Sequence, residues 1–360
     1  MRKDDYERNN DKMIAGLPSF VRDYYNAKRS IPLAPTTLYT YLNALVRFFD
    51  WLRATKVTDA PSNQSIPLDT LDQLHLADAE LYKADLLNRS NQNDLNSDRN
   101  LSRSYVDINL SALKSLFRYL AVDSEGPDGR PFMQRNVMEK IPLVKNNKTL
   151  QQHSKEIEHQ LLVDGEDISF MEYVDHQYEN GIDAHQQSYF KNTKVRDLAI
   201  LATFLSSGIR LSELCNLDLR KVHIENPNEP SITVIRKGGN TDTVYMRTTF
   251  LDYIQQYLDV REHLFPGAED CPAMFISSRG GRINRISTRT VETMVAKYSK
   301  AYGKPFHPHS LRHSVASELY KKTGGKEQVV RLQLGHTSTS AVKLYENIEK
   351  NEQLSSIRDL

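Results

Sequence analysis

Six side chains in this sequence have the types that a metal-free attack on a phosphodiester needs: Arg210, Lys237, His309, Arg312, His336 and Tyr345. Two guanidinium groups offer planar, two-pronged donors to the non-bridging oxygens, whose charge grows in the transition state. A lysine, whose pKa moves readily with its surroundings, can protonate a departing 5′ oxygen. Histidines can hydrogen-bond the phosphate or accept a phenol proton, and the tyrosine can attack and keep the phosphate as an ester. Each residue also has an ordinary reading. Arg210, in SSGIRLSELCNL, can pair with Glu213 three residues on. Lys237, in IRKGGN, can be a solvated turn lysine, and Tyr345 can be half-buried packing on a short amphipathic helix. His309 and His313, in HPHSLRH, share the i, i+4 spacing of zinc ligands. Position 310 is serine, however, and no cysteine or acidic third ligand stands nearby. His313 is therefore expected to pack or hydrogen-bond locally, and Glu213 to orient Arg210 or its own helix. No carboxylate cluster suited to Mg²⁺ accompanies the six, so no cofactor is expected.

Such residues must be held by regular elements. VRDLAILATFLSS reads as a helix, GIR as a break and LSELCNL as a second helix. SITVIRKGGNTDTVYM (231–246) alternates on both sides of a Gly-Gly-Asn turn and predicts a β-hairpin with Lys237 at its tip. HSLRHSVASELYKKTG predicts a helix with Leu311, Val315 and Leu319 toward the core and Gly324 as its stop. His309 and Arg312 then share a face beside that stripe. QVVRLQLG is a short helix ended by Gly335, and STSAVKLYENI opens with hydroxyl caps. Upstream, TTLYTYLNALVRFFDWLR follows Pro35 with apolar residues every three or four positions and a threonine as N-cap. Residues 104–122 repeat the pattern through Ile108, Leu113, Leu116, Phe117 and Leu120. The fold class is mainly α with one small β-sheet.

At 360 residues the chain exceeds the size at which one core stops growing, so two domains are expected. The turn-rich DSEGPDGRP opens a linker placed at 123–165, between a helical domain at 16–122 and a second domain at 166–360, with 1–15 as an extension. The charged N-terminus lacks a secretory h-region, and no apolar run is long enough to span a membrane. Cys215 and Cys271 have no metal-ligand spacing, so a reduced, cytoplasmic protein is the expectation. Net charge is only +1, but it is unevenly placed. Residues 151–200 hold 4 Lys/Arg against 10 Asp/Glu, whereas 201–360 hold 22 against 17. The densest run, 277–304, carries Arg279, Arg282, Arg285, Arg289, Lys297, Lys300 and Lys304 against Glu292 alone. Such density suits phosphate neutralisation, and the first six are candidate DNA contacts.

The order R…K…HxxR…H…Y resembles that of the tyrosine recombinase (phage-integrase) family. GIRLSEL is similar to its first arginine box, HSLRHSVAS to its second, and LGH followed nine residues later by tyrosine to its third. VRDYYNAKRSIPLAPTTLYTYLNALVRFFDWL and NTKVRDLAILATFLSSGIRLSELCNLDL are most like the Xer recombinases of XerS type. The resemblance implies a helical SAM-like core-binding domain that clamps DNA, followed by a catalytic domain. It implies that Tyr345 forms a 3′-phosphotyrosyl link and that Lys237 protonates the leaving group. Arg210 and Arg312 would clamp the phosphate, His309 would assist proton transfer, and His336 would support phosphate and tyrosine. Neither metal nor ATP would be needed. The implied partners are a double-stranded recombination site, three further copies in a homotetramer, and the FtsK DNA translocase. Chromosome-dimer resolution at a dif-like site during cell division would be the role. A phage or mobile-element integrase, a type IB topoisomerase and an idle DNA-binding regulator are the alternatives.

Overall fold

Apolar residues at helical spacing set the first of two compact units, Met1–Asn147. The computed structural model describes residues 3–31, 33–89, 101–144, 149–236, 239–335 and 345–348. The first unit contains α1 (Lys3–Ala15), α2 (Ser19–Ser30), α3 (Pro35–Ala54), α4 (Asp69–Asp72), α5 (Leu76–Asn88) and α6 (Arg103–Arg118). Leu38, Leu42, Leu45, Phe48, Phe49 and Leu52 put one face of α3 into the core. Phe48 stands edge-on to Tyr82 of α5 at 5.0 Å and to Phe117 of α6 at 6.3 Å. The threonine cap expected for α3 is not used. The helix opens at Pro35, behind Ala34, because proline's missing N–H is no loss in a first turn. Ile108, expected in the core, is 43% exposed. Val106 and Leu110 extend the buried stripe of Leu113, Leu116, Phe117 and Leu120 toward the start of α6, and Ile108 lies off that face. Met133, Val137, Met138 and Ile141 also join this core. Much of 123–165 is thus packed chain.

The second unit, Lys148–Leu360, is mainly helical around two small sheets. In chain order it holds α7 (Leu150–Glu158), α8 (Glu166–Glu172), α9 (Ala184–Ser207) and α10 (Leu211–Cys215). Strands β1 (Val222–His223), β2 (Ser231–Ile235) and β3 (Thr241–Tyr245) follow, then α11 (Leu251–Leu264). Next come β4 (Ile276–Arg279) and β5 (Arg282–Arg285), then α12 (Thr288–Ala301), α13 (Pro308–Lys322) and α14 (Glu327–Leu334). β1, β2 and β3 form one antiparallel sheet in that order, with Ile232 opposite Val244. One sheet was expected and a second is present. Its β4–β5 hairpin turns through Gly280 and Gly281, both at positive φ (57° and 73°), which only glycine adopts freely. Every residue of α9 from Arg196 to Ser207 is buried. The charges there are satisfied internally. Arg196 Nη2 donates to Asp197 Oδ1 at 2.7 Å, and the Tyr298 hydroxyl donates to Asp197 Oδ2 at 2.7 Å.

α9 stops at Gly208, whose φ of +67° places it in the left-handed region. A Cβ at Gly208 would lie 2.8 Å from Leu334 Cδ2 and 3.1 Å from Val315 Cγ1. The corner where α9, α13 and α14 meet therefore admits no side chain. Among the described residues no helix is long and apolar enough to cross a membrane.

Candidate active site

Arg312 lies at that corner. The sequence places it beside the core stripe of α13, but it is 1% exposed. The burial is possible because Nη1 donates to Gly208 O at 2.7 Å and Nη2 to Leu334 O at 2.6 Å. Those carbonyls end α9 and α14, so two helix C-termini face one guanidinium. Burial, then the neighbouring Arg210, lower its pKa to about 10, which leaves it charged at neutral pH. Arg210 is the N-cap residue of α10. Its backbone N–H donates to Glu213 Oε2 at 2.8 Å, and its Nη1 donates to Oε1 at 2.9 Å. Its Nη2 reaches Gly335 O at 3.3 Å. The expected ion pair with Glu213 is present, and 35% of the Arg210 side chain still faces solvent.

Arg210, Arg289, Glu292, His307, His309 and Arg312 line one cleft of about 550 Å³. Burial, then Arg312, His307 and Arg210, hold the His309 pKa below 6.5. A neutral imidazole is therefore available at pH 7 to accept a proton. The shift has a consequence for stability. Below pH 6.5 the unfolded chain binds a proton that folded His309 still refuses, so the unfolded state holds more protons and stability falls on acidification. Urea midpoints measured at about pH 7 and about pH 5 should fall further for the wild type than for His309→Gln. Equal falls would remove the claim.

Tyr345 sits in a separate apolar cluster with Leu161, Ala316, Tyr320, Val330, Leu334 and Ile348, and is 1% exposed. Its hydroxyl lies 2.8 Å from His313 Nδ1. Burial pushes the phenol well above its usual pKa of 10, and the charge of Arg312 opposes that rise. The His313 ring in turn meets His309 edge-on at 4.4 Å. His313 was expected to pack or hydrogen-bond locally; its hydrogen-bond partner is instead Tyr345, 32 positions along the chain. Its place directly after Arg312, one helical turn from His309, was the available signal.

Lys237 and His336 lie outside the described residues, as does the stretch 337–344 in which hydroxyl caps were expected. Their flanks are ordered as predicted: β2 and β3 form the hairpin, and α14 ends on Gly335 at φ +61°. The basic run divides into two sets. Arg282, Arg289 and Lys300 are exposed. Arg285 is engaged within the unit, donating to Asp218 Oδ1 at 2.5 Å and to Cys215 O and Leu217 O at 3.2 and 3.1 Å. Lys297 lies over the Tyr298 and Tyr178 rings at 4.2 and 5.3 Å, with its pKa lowered by burial. Lys304 pairs with Glu166 at 2.5 Å. Linear charge density could not separate these sets, because the carboxylate partners of Arg285 and Lys304 lie 67 and 138 positions away. The side chain of Arg279 is outside the described residues.

Residues 174–352 match the phage integrase family. The chain is 39% identical over 345 residues to the tyrosine recombinase XerS of Streptococcus thermophilus (strain CNRZ 1066), covering 96% of each chain. It is likewise 39% identical over 347 residues to XerS of Streptococcus pyogenes serotype M28, again over 96% of each. Among solved structures it is similar to the XerH site-specific recombinase bound to palindromic difH substrate. That TM-score is 0.64 at 17% identity, over 91% of this chain and 81% of the other. A lambda integrase dimer bound to a COC' core site shares the fold at a TM-score of 0.56 and 13% identity, over 92% of this chain and 77% of the other. The chain belongs to the phage integrase family and is a tyrosine-type site-specific DNA recombinase.

Proposed function

We propose that this recombinase cuts and rejoins DNA through a phosphotyrosyl intermediate formed at Tyr345, and that its role is resolution of chromosome dimers at a dif-like site. The observation that carries the chemistry is the convergence of Arg210, Arg312 and His309 on one cleft, beside a tyrosine whose hydroxyl is held by the residue following Arg312. Tyr345 Oη forms a bond to the scissile phosphorus while the bond from phosphorus to O5′ breaks. The phenol proton passes to imidazole, His313 standing 2.8 Å from Oη and His309 edge-on to its ring, and Lys237 delivers a proton to O5′. Arg210 and Arg312 take the growing charge on the two non-bridging oxygens, and His336 supports phosphate and tyrosine. The 5′ hydroxyl of a partner strand then attacks the phosphotyrosine and regenerates the phenol. One phosphate ester is exchanged for another, so the steps balance without ATP.

Likeness to XerS across 96% of both chains supports the chromosomal role over integration of a mobile element. On this reading four copies assemble on two duplexes, the first unit clamps DNA, Arg282, Arg289 and Lys300 contact phosphates, and the protein works in the cytoplasm under the FtsK translocase. Two differently labelled duplexes carrying the inverted repeat beside its gene provide the test. Hybrid products are expected from that repeat and not from a scrambled one. Relaxation of supercoiled DNA without hybrids would mark a type IB topoisomerase instead, and exchange at the scrambled site would remove the dif-like assignment.

A further inference from the structure

Arg236 directly precedes Lys237 at the start of the hairpin loop. Its side chain is only 9% exposed and is fully engaged. Nε donates to Asp242 Oδ2 at 3.1 Å, Nη1 to Glu213 Oε2 at 3.2 Å, and Nη2 to Gln333 O at 3.0 Å. Those acceptors belong to three different segments. Asp242 is on the returning strand of the hairpin, Glu213 is the carboxylate that also binds Arg210, and Gln333 precedes the end of α14. The main chain of Arg236 closes the hairpin loop as well. Its N–H donates to Asn240 O at 2.8 Å, and Gly239 N–H donates to Arg236 O at 3.0 Å. Gly335 provides an independent sign. A Cβ there would sit 2.7 Å from Arg236 Nε and 2.9 Å from Cζ, so the guanidinium occupies the space a side chain at 335 would need.

We infer that Arg236 is a positioning residue for strand cleavage: it fixes the base of the loop that carries Lys237 against Glu213 and the end of α14. With two carboxylates and a carbonyl already on it, this guanidinium is committed inside the protein, unlike the partly exposed Arg210. It therefore acts through another residue, and the residue joined to it is Lys237. Without the anchor the loop loses its fixed start, and proton delivery to O5′ by Lys237 suffers. Misplacing a proton donor by an ångström removes most of its benefit.

The inference rests on the proposed acid role of Lys237, so both residues are tested together on two substrates. One is the ordinary duplex and the other has a bridging sulfur at the scissile 5′ position, which leaves without protonation. On the ordinary substrate Arg236→Ala is expected to cleave about 100-fold more slowly than wild type, and on the sulfur substrate within about threefold of it. Lys237→Ala is expected to show the same relief. Arg236→Lys, which keeps a charge for Glu213 but cannot span three acceptors, serves if the alanine variant does not fold, and should show the same pattern. DNA affinity is expected to stay at the wild-type value in all three. Relief for Lys237→Ala with none for either Arg236 variant overturns the positioning role and leaves the acid assignment standing. No relief for Lys237→Ala overturns the acid assignment, and the route through it falls as well.

Discussion

Tyr345→Phe is expected to abolish the covalent protein–DNA adduct seen on a denaturing gel, a loss of about 10⁴-fold or more, the scale found when a covalent nucleophile is removed. The substitution deletes one oxygen from a ring that is 1% exposed, so the packing with Leu161, Tyr320 and Leu334 survives. What disappears in the fold is the hydrogen bond to His313, worth about 1 kcal/mol. The variant should therefore melt close to wild type and bind the recombination site normally, which separates a chemical defect from a folding defect. A persisting adduct would show that another side chain attacks.

Arg312→Ala should damage both stability and chemistry. It orphans the buried carbonyls of Gly208 and Leu334, at a cost of about 1–3 kcal/mol each, so a loss of about 2–6 kcal/mol is expected in a urea titration. In the cleavage step it removes a preorganised charged donor, and losses of about 10²–10³ in rate accompany removal of a single donor of this kind. Arg312→Lys distinguishes the two effects. Its ammonium restores the charge, but one nitrogen cannot bridge both carbonyls and present a second prong to phosphate. It should recover part of the stability and little of the single-turnover rate. Full recovery of rate by lysine would mean that charge alone matters and that the two-pronged geometry is incidental.

The parts of this molecule legible in its sequence are those governed by neighbours along the chain. Apolar spacing located α3, α9 and α13, alternation around Gly-Gly-Asn located the β2–β3 hairpin, and glycine marked the ends of α9 and α14. Arg210 and Glu213 were legible as a pair because they are three residues apart. What stayed hidden is governed by distant partners. The burial of Arg312 depends on acceptors 104 and 22 positions away, and helical spacing alone put that residue beside the core. The pairing of Arg285 with Asp218 and the stacking of Lys297 on tyrosine rings leave no mark in the charge density of their run. The β4–β5 hairpin was signalled by Gly280 and Gly281, and the basic residues around them obscured it.

The two acceptors of Arg312 belong to different helices, and that geometry bears on fidelity. α14 is the last described helix before Tyr345, and its final carbonyl holds one arm of the guanidinium. A displacement that carries α14 outward loosens the anion clamp at the same time as it disturbs the cluster in which the phenol rests, since Leu334 belongs to both. On the roles proposed for Arg312 and Tyr345, clamp and nucleophile would then be kept or lost together. For an enzyme that cuts DNA strands, such a linkage would guard against a break that the same protomer cannot reseal.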